Sequence, residues 1–394
     1  MNALDNYKIS KNDWNDWRWQ QRNTIKDAND LYASFGNRWG QSIQDKIAKN
    51  IQDRKMQITP YYLALISSKT SKNGDITQNP LWRQVVPFWE DEIDGGYDEQ
   101  TDNWELSNEM KTPICQHKYD NRVILRMSNT CNAYCQFCFE ALRTLKTKTD
   151  KSTASRNLFQ ESFKYIKSKD GIEEVILSGG DPLTLSDVKL EGYLSQLRNW
   201  NDKLLIRIHS RALSFNPFRV TDQLIEMLEK YKVNSFGVHI CHPDELSDDF
   251  IEAVKRIQKV VSIVFSNMPF LRGINDDEET LHKLFIELYR IGVKPYYLYH
   301  YMPYSPGASI YKASVAKGIQ IMSKLKRRIS NIALPEYVLP HDKGKFTVPL
   351  VEDTKDFPCF EQDEQGKRFY KFVNWQNQIC YWNDEISQIN TEHN

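Results

Sequence analysis

From residue 122 onward the chain alternates short apolar runs with amphipathic segments, and this rhythm limits the fold more than any other feature of its 394 residues. RVILRM (122–127), EEVILSGG (173–180), LLIRIHS (204–210), SFGVHI (235–240), VSIVFSN (261–267) and KPYYLYHY (294–301) are strand-like. Between them NLFQESFKYIKSK, DQLIEMLEKY, DFIEAVKRIQKV and EETLHKLFIELYRIG repeat apolar residues at helical spacing. Strands that alternate with helices build a parallel sheet with right-handed crossovers. Six such units predict an α/β fold, a partial (βα)6 barrel, with its chemistry at the C-terminal strand ends.

Residues 1–115 predict a helical region. DWNDWRWQQRNTIKDANDLYASF starts from a capping Asp13, and TPYYLALI puts Pro60 in a first helical turn. The charged stretch EDEIDGGYDEQTDNWELSNEMKTP marks the boundary with the barrel, taken as 116–335, and 336–394 forms a mixed C-terminal segment. With 52 basic and 52 acidic residues the formal charge is zero, so electrostatic capture of nucleic acid or an anionic membrane has no support. No apolar run is long enough to span a bilayer, and the first residues lack a secretory h-region, which predicts a cytoplasmic protein. In a reducing compartment, clustered cysteines are metal ligands or redox groups more often than disulfides.

Three of the seven cysteines cluster in SNTCNAYCQFCFE: Cys131, Cys135 and Cys138. Zinc, a disulfide or an iron–sulfur cluster short of one ligand would each use such thiols. Structural zinc commonly takes four ligands as two separated pairs, and no second C-x2-C or H-x3-H accompanies this group. Three thiolates on a cubane leave one iron open to a substrate. With Phe137 at the aromatic position, the C-x3-C-x-aromatic-C pattern in a first βα loop resembles the radical S-adenosylmethionine (SAM) enzymes. The resemblance implies a barrel of that type, a 4Fe–4S cluster on the three cysteines, SAM chelated at the open iron, and a 5′-deoxyadenosyl radical. Ser178, Gly179, Gly180 and Asp181, at the end of the second strand, would alone make an ordinary Gly-Gly turn. Beside the cysteine motif they resemble the segment that holds the SAM amine.

WNDWRWQQRN, ITPYYLALI, HKYDNR, SGGDPLTLSD, IRIHSRA, HICHPDELSDDF, FLRGIND and HDKGKF extend the resemblance to the lysine 2,3-aminomutase-like family. That family adds pyridoxal 5′-phosphate (PLP). The resemblance implies Lys345 as the PLP lysine, with Lys343 its neighbouring competitor, in a stretch closer to the glutamate-type branch. It implies Lys118, Tyr119 and Arg122 as phosphate and ring contacts, with Lys118 standing where better-known members have Arg.

Three departures bear on substrate. Glu140 replaces the Arg that pairs with the substrate carboxylate in lysine-specific members, so either Arg143 takes over, the substrate differs, or Glu140 turns outward to cap a helix. Met302 and Pro340 stand where aspartates would hold the lysine ammonium. Asp277, with only Cys359 and Cys380 near the end, leaves the family's zinc site without its ligands, and no zinc is predicted. Cys241, His239 and His242 are expected to pack or line a pocket. The expectation is a PLP-dependent radical SAM aminomutase acting on an amino acid other than free lysine. The resemblance implies a homo-oligomer, and a flavodoxin or ferredoxin is the expected reductant. Epimerisation, elimination or another modification of an amine is the alternative outcome, and a non-catalytic iron–sulfur or zinc protein is the reading from another class.

Overall fold

The structure, a computed structural model, describes residues 10–35, 38–71, 74–89, 105–302, 307–341, 344–350, 359–366, 368–373 and 378–383. Ten strands form one open sheet in chain order: β1 (Met110–Thr112), β2 (Cys115–Tyr119), β3 (Arg122–Ser128), β4 (Glu174–Gly179), β5 (Leu205–Ser210), β6 (Ser235–His239), β7 (Ile263–Phe270), β8 (Lys294–His300), β9 (Glu336–His341) and β10 (Gly344–Thr347). Strands β3 to β9 pair parallel, while β1–β2, β2–β3 and β9–β10 are antiparallel. The sheet does not close among the described residues, as a partial barrel requires. The six predicted strands become seven parallel ones. The extra strand, β9, contains Pro340, which argues against a central strand from sequence. Its parallel ladder with β8 runs only through Glu336 to Val338, so Pro340 falls beyond it.

Side chains alternate faces along each strand. On the outer face Val123, Leu125, Val175, Leu177, Ile206, Ile208, Phe236 and Val238 join the main core with leucines of the crossover helices. Helix Asp187–Trp200, which the sequence reading did not pick out, buries Leu190, Leu194 and Leu197 there and is capped by Ser186. The inner face carries Arg122, Ile124, Ile176, Arg207, His209, Tyr297 and Tyr299, and these line a cavity.

The helical run predicted from Asp13 is broken into Lys11–Trp14, Trp17–Arg22 and Ala28–Ser34. Asp16 and Asp27 interrupt it, because their carboxylates accept from Arg18 N and from Asn29 N and Asp30 N as helix caps. Pro60 opens helix Pro60–Ser68, with Thr59 capping Tyr62 N, as expected. This region builds a second core of Trp39, Tyr62 and Trp82 that also takes in Ala133 and Phe215 of the barrel.

Candidate active site

Between β3 and the short helix Ala141–Thr144, the loop that carries the three cysteines has no ladder of its own. Its backbone groups are satisfied by the N-terminal region instead. Tyr134 N donates to Gln57 O at 3.1 Å, Gln136 N to Gln84 O at 2.8 Å, and Gln57 Nε2 to Cys131 O at 2.8 Å. Gln136 Nε2 returns a bond to Lys55 O at 3.0 Å. The helical cap therefore sets the position of the thiols.

The glycines at the end of β4 hold the other side of this loop. A Cβ on Gly180 would sit 2.7 Å from Thr130 O, and one on Gly179, whose φ is +116°, would sit 2.7 Å from Ser128 O. Gly180 N donates to Ser128 O at 2.5 Å and Asp181 N to Thr130 O at 2.9 Å. Close backbone approach is thus what these glycines provide. The Asp181 carboxylate is engaged within the protein. It accepts from Leu183 N, from Ser210 Oγ at 2.9 and 3.0 Å, and from Arg211 N at 3.0 Å, while burial pushes its pKa up to about 6.

Arg211, one residue past β5, was not singled out from sequence, although IRIHSRA contains it. Its guanidinium donates to Cys135 Sγ at 2.8 Å, to Gln84 Oε1, and to the buried Glu245 at 3.0 Å, and it lies over the Phe215 ring at 4.6 Å and the Phe137 ring at 5.5 Å. Burial raises all three thiol pKa values, that of Cys138 to about 12; Asp181 and the neighbouring thiols push Cys131 further up, while Arg211 pulls Cys135 down. Thiols this close in apolar surroundings resist joint ionisation. A positively charged iron–sulfur core reverses that cost, so the donor set fits such a cluster.

A cavity of about 320 Å³ is lined by Cys135, Cys138, Phe137 and Ser178, and also by Lys118, Tyr119, Arg122, Met302, Pro340 and Lys345. Cys131, Gly179, Gly180 and Asp181 do not line it. Lys345 stays open to solvent, and its ammonium lies 4.4 Å from the Tyr297 ring centroid and 5.4 Å from that of Tyr299. Partial burial of the ammonium, with Arg122 and Arg207 facing it, pushes its pKa down to about 8. Arg122 lies 4.2 Å over the Tyr119 ring, and Lys118 bridges to Glu109 at 2.7 Å. Cations crowded around this lysine fit a phosphate, whose charge relieves their repulsion. Lys343 lies outside the described residues.

Glu140 and Arg143 do not line this cavity. Glu140 is 8 % exposed and bonds Arg126, itself fully buried, with Nη2–Oε1 at 3.0 Å. Glu105 joins them at 2.7 Å from Arg126 and 2.8 Å from Arg143, and Lys151 lies 3.2 Å from it. Arg143 also donates to Ser152 O and Pro113 O. Glu140 precedes helix Ala141–Thr144, but its side chain makes no cap bond. Neither substrate pairing nor outward capping describes it, because Arg126, an inward arginine on β3, needs a counter-ion. Arg126 and Glu105 were missed: a lone Arg in a strand and a Glu in a loop carry no sequence signal.

Asp277 caps helix Glu278–Arg290 through Thr280 N. His239 and Cys241 line the cavity, and His242 caps the turn Pro243–Glu245. Cys359 and Cys380 fall on a separate three-stranded sheet. No helix among the described residues is long and apolar enough to cross a membrane.

The open parallel sheet and the three-cysteine loop at the end of its first parallel strand define a radical SAM protein, and residues 125–285 match the radical SAM superfamily. The chain is 32% identical over 350 residues to L-lysine 2,3-aminomutase of Methanococcus maripaludis, covering 87% of this chain and 78% of that protein. It is 31% identical over 348 residues to glutamate 2,3-aminomutase of Clostridioides difficile, again covering 87% and 78%. Among solved structures, a radical SAM methyltransferase from Sphaerobacter thermophilus aligns at a TM-score of 0.42 and 14% identity over 58% of this chain and 69% of that one, too distant a likeness to bear on the site. The chain belongs to the radical SAM aminomutase family, whose lysine and glutamate 2,3-aminomutases are its homologues, and it is an isomerase enzyme of that family.

Proposed function

We propose that this enzyme moves the α-amino group of an amino acid other than free lysine to its β-carbon, using a 4Fe–4S cluster, SAM and PLP. The observation that carries this reading is the single cavity lined both by Cys135 and Cys138 and by Lys345. Bound there, the cluster with SAM supplies a 5′-deoxyadenosyl radical for hydrogen abstraction and return, and PLP supplies a conjugated system able to carry a migrating nitrogen.

The chain's own residues have separable tasks. Cys131, Cys135 and Cys138 hold the cluster. Arg211 donates to the Cys135 sulfur, and Asp181 fixes Arg211 through its backbone amide. A donor to a cluster sulfur stabilises the more negative, reduced state. Ser178, at the cavity wall, is the member of the SGGD segment with a side chain available to the SAM amine, while the glycines set the spacing to the loop. Lys345 would carry PLP, Arg122 and Lys118 would serve its phosphate, and Tyr119, Tyr297 and Tyr299 would flank it. The aromatic walls keep bulk water from a reactive radical.

Small molecules are the substrates of such a cavity, and a flavodoxin or ferredoxin would deliver the electron. Two measurements test the reading. Borohydride reduction followed by peptide mass spectrometry should place PLP on Lys345. The reduced, reconstituted enzyme, given SAM and deuterated amino acids, should move deuterium into 5′-deoxyadenosine and release a β-amino acid. Label in 5′-deoxyadenosine with no β-amino acid would replace migration by epimerisation or elimination. The absence of any PLP adduct would end the aminomutase reading.

A further inference from the structure

The cavity has two unlike walls. Its charged lining residues are Lys118, Arg122, Arg207, Arg211 and Lys345, which belong to β2, β3, β5, the residue after β5, and β10. Among the described residues that line it there is no Asp or Glu. The carboxylates that balance these cations, Glu109, Glu174 and Glu245, stand behind them: Lys118 to Glu109 at 2.7 Å, Arg207 to Glu174 at 2.6 Å and Arg211 to Glu245 at 3.0 Å.

Among the described residues, the lining from the ends of β7, β8 and β9 carries no Asp, Glu, Lys or Arg, although Pro340 pairs across the β9–β10 ladder with Lys345. Met268, Pro269, Tyr301, Met302 and Pro340 supply it, together with His300. His300 Nδ1 lies 2.7 Å from the Tyr337 hydroxyl, and burial, with Lys312 nearby, lowers its pKa to about 4, so the ring is neutral at physiological pH. An ammonium, guanidinium or carboxylate placed on this wall would lose its hydration, and a cation would meet no carboxylate among the described lining residues. A thioether, aliphatic or aromatic group gains from burial there, with Met302 and Met268 able to adapt to its shape.

We propose that the wall formed by Met268, Pro269, Tyr301, Met302 and Pro340 is the side-chain subsite, and that the substrate is an α-amino acid with an uncharged apolar or aromatic side chain. The inference rests on the aminomutase reading, since it takes Lys345 as the anchor of the cofactor that receives the amino group. The substrate carboxylate and the cofactor phosphate then share the cationic wall, and the β-carbon lies between the two walls.

The test uses PLP-loaded wild-type enzyme under anaerobic conditions without reductant, so that binding is read from the PLP absorbance and not from turnover. L-Leucine, L-methionine, L-phenylalanine, L-lysine and L-glutamate are titrated separately. The expected result is a Kd at least tenfold lower for the tightest uncharged amino acid than for lysine or glutamate. A Met302→Asp variant, which puts a carboxylate on the apolar wall, should lower the lysine-to-leucine Kd ratio at least tenfold. Lysine or glutamate binding as well as leucine, methionine and phenylalanine, or a ratio unmoved in a folded M302D that still takes PLP, overturns the inference. If M302D does not fold, the wild-type series decides alone. Borohydride labelling separates the two levels: Lys345 labelled with a charged amino acid preferred removes this inference alone, and Lys345 unlabelled removes the aminomutase reading with it.

Discussion

Replacing Glu140 should damage stability and leave amino-acid binding almost unchanged. At an effective dielectric constant of about 20, the 3.0 Å Arg126–Glu140 contact is worth about 5.5 kcal/mol of attraction. Arg143 adds to it at 3.5 Å, and Glu105 subtracts from it, because both carboxylates bond the same Arg126 Nε. Desolvating the two ions removes several kcal/mol more, so the pair as a unit is worth little. Removing one partner is different, since Arg126 is fully buried and keeps Glu105 as its remaining carboxylate among the described residues, with Gln116 Oε1 and the Met110 sulfur as uncharged acceptors. Glu140→Gln, which retains an acceptor, should cost about 3 kcal/mol, the low end for a broken buried pair. Arg126→Met with Glu140→Leu removes both charges and should cost less than Glu140→Leu alone, with a coupling energy of at least about 2 kcal/mol. Urea unfolding followed by tryptophan fluorescence, at matched cluster content, gives these differences. A Glu140→Gln loss below about 1 kcal/mol, or additive effects in the double variant, would refute the counter-ion role. So would a tenfold weaker amino-acid affinity at undiminished stability, which would return Glu140 to the substrate.

Three further expectations follow from the site. Lys345 must be neutral to take up PLP, so the rate of PLP capture by the apo protein should rise with pH and level off above about 8; a continued climb toward 10.5, the ordinary lysine value, would contradict the lowering by burial and by the neighbouring Arg122 and Arg207. At pH 7 about a tenth of Lys345 is then already neutral. Gly180→Ala puts a methyl 2.7 Å from Thr130 O, next to Cys131, and should cost about 1–3 kcal/mol while lowering the iron bound after reconstitution; full iron content with an unchanged melting temperature would show that the loop yields freely. Cys138→Ala should abolish the cluster's visible absorbance and iron, yet still accept borohydride-trapped PLP on Lys345, and loss of both together would mean that one site depends on the other for folding.

The difference between what the sequence discloses and what it hides follows the range of the interactions. Strands β3 to β8 were legible because each is a short apolar run set between amphipathic segments, a local property. So was the cysteine loop, whose spacing over eight residues is itself the signal. β9 was not, because Pro340 obscures a strand whose pairing partner lies some forty residues earlier, and the first helical run was misjudged where Asp16 and Asp27 cap new helices instead of decorating one. The charges were the least legible. Arg126 and Glu105 carry no signal singly and Glu140 reads as a reversed substrate contact, and only their three-way meeting across 35 residues of sequence makes them a structural unit. Arg211 hides for the same reason: its partners Cys135, Gln84 and Glu245 come from three separate regions. It follows that charge reversal at position 140 carries less about substrate than it first suggests. It reports on Arg126 behind the wall, whereas Met302 and Pro340, uncharged and on the cavity itself, are the departures through which a different side chain would be read.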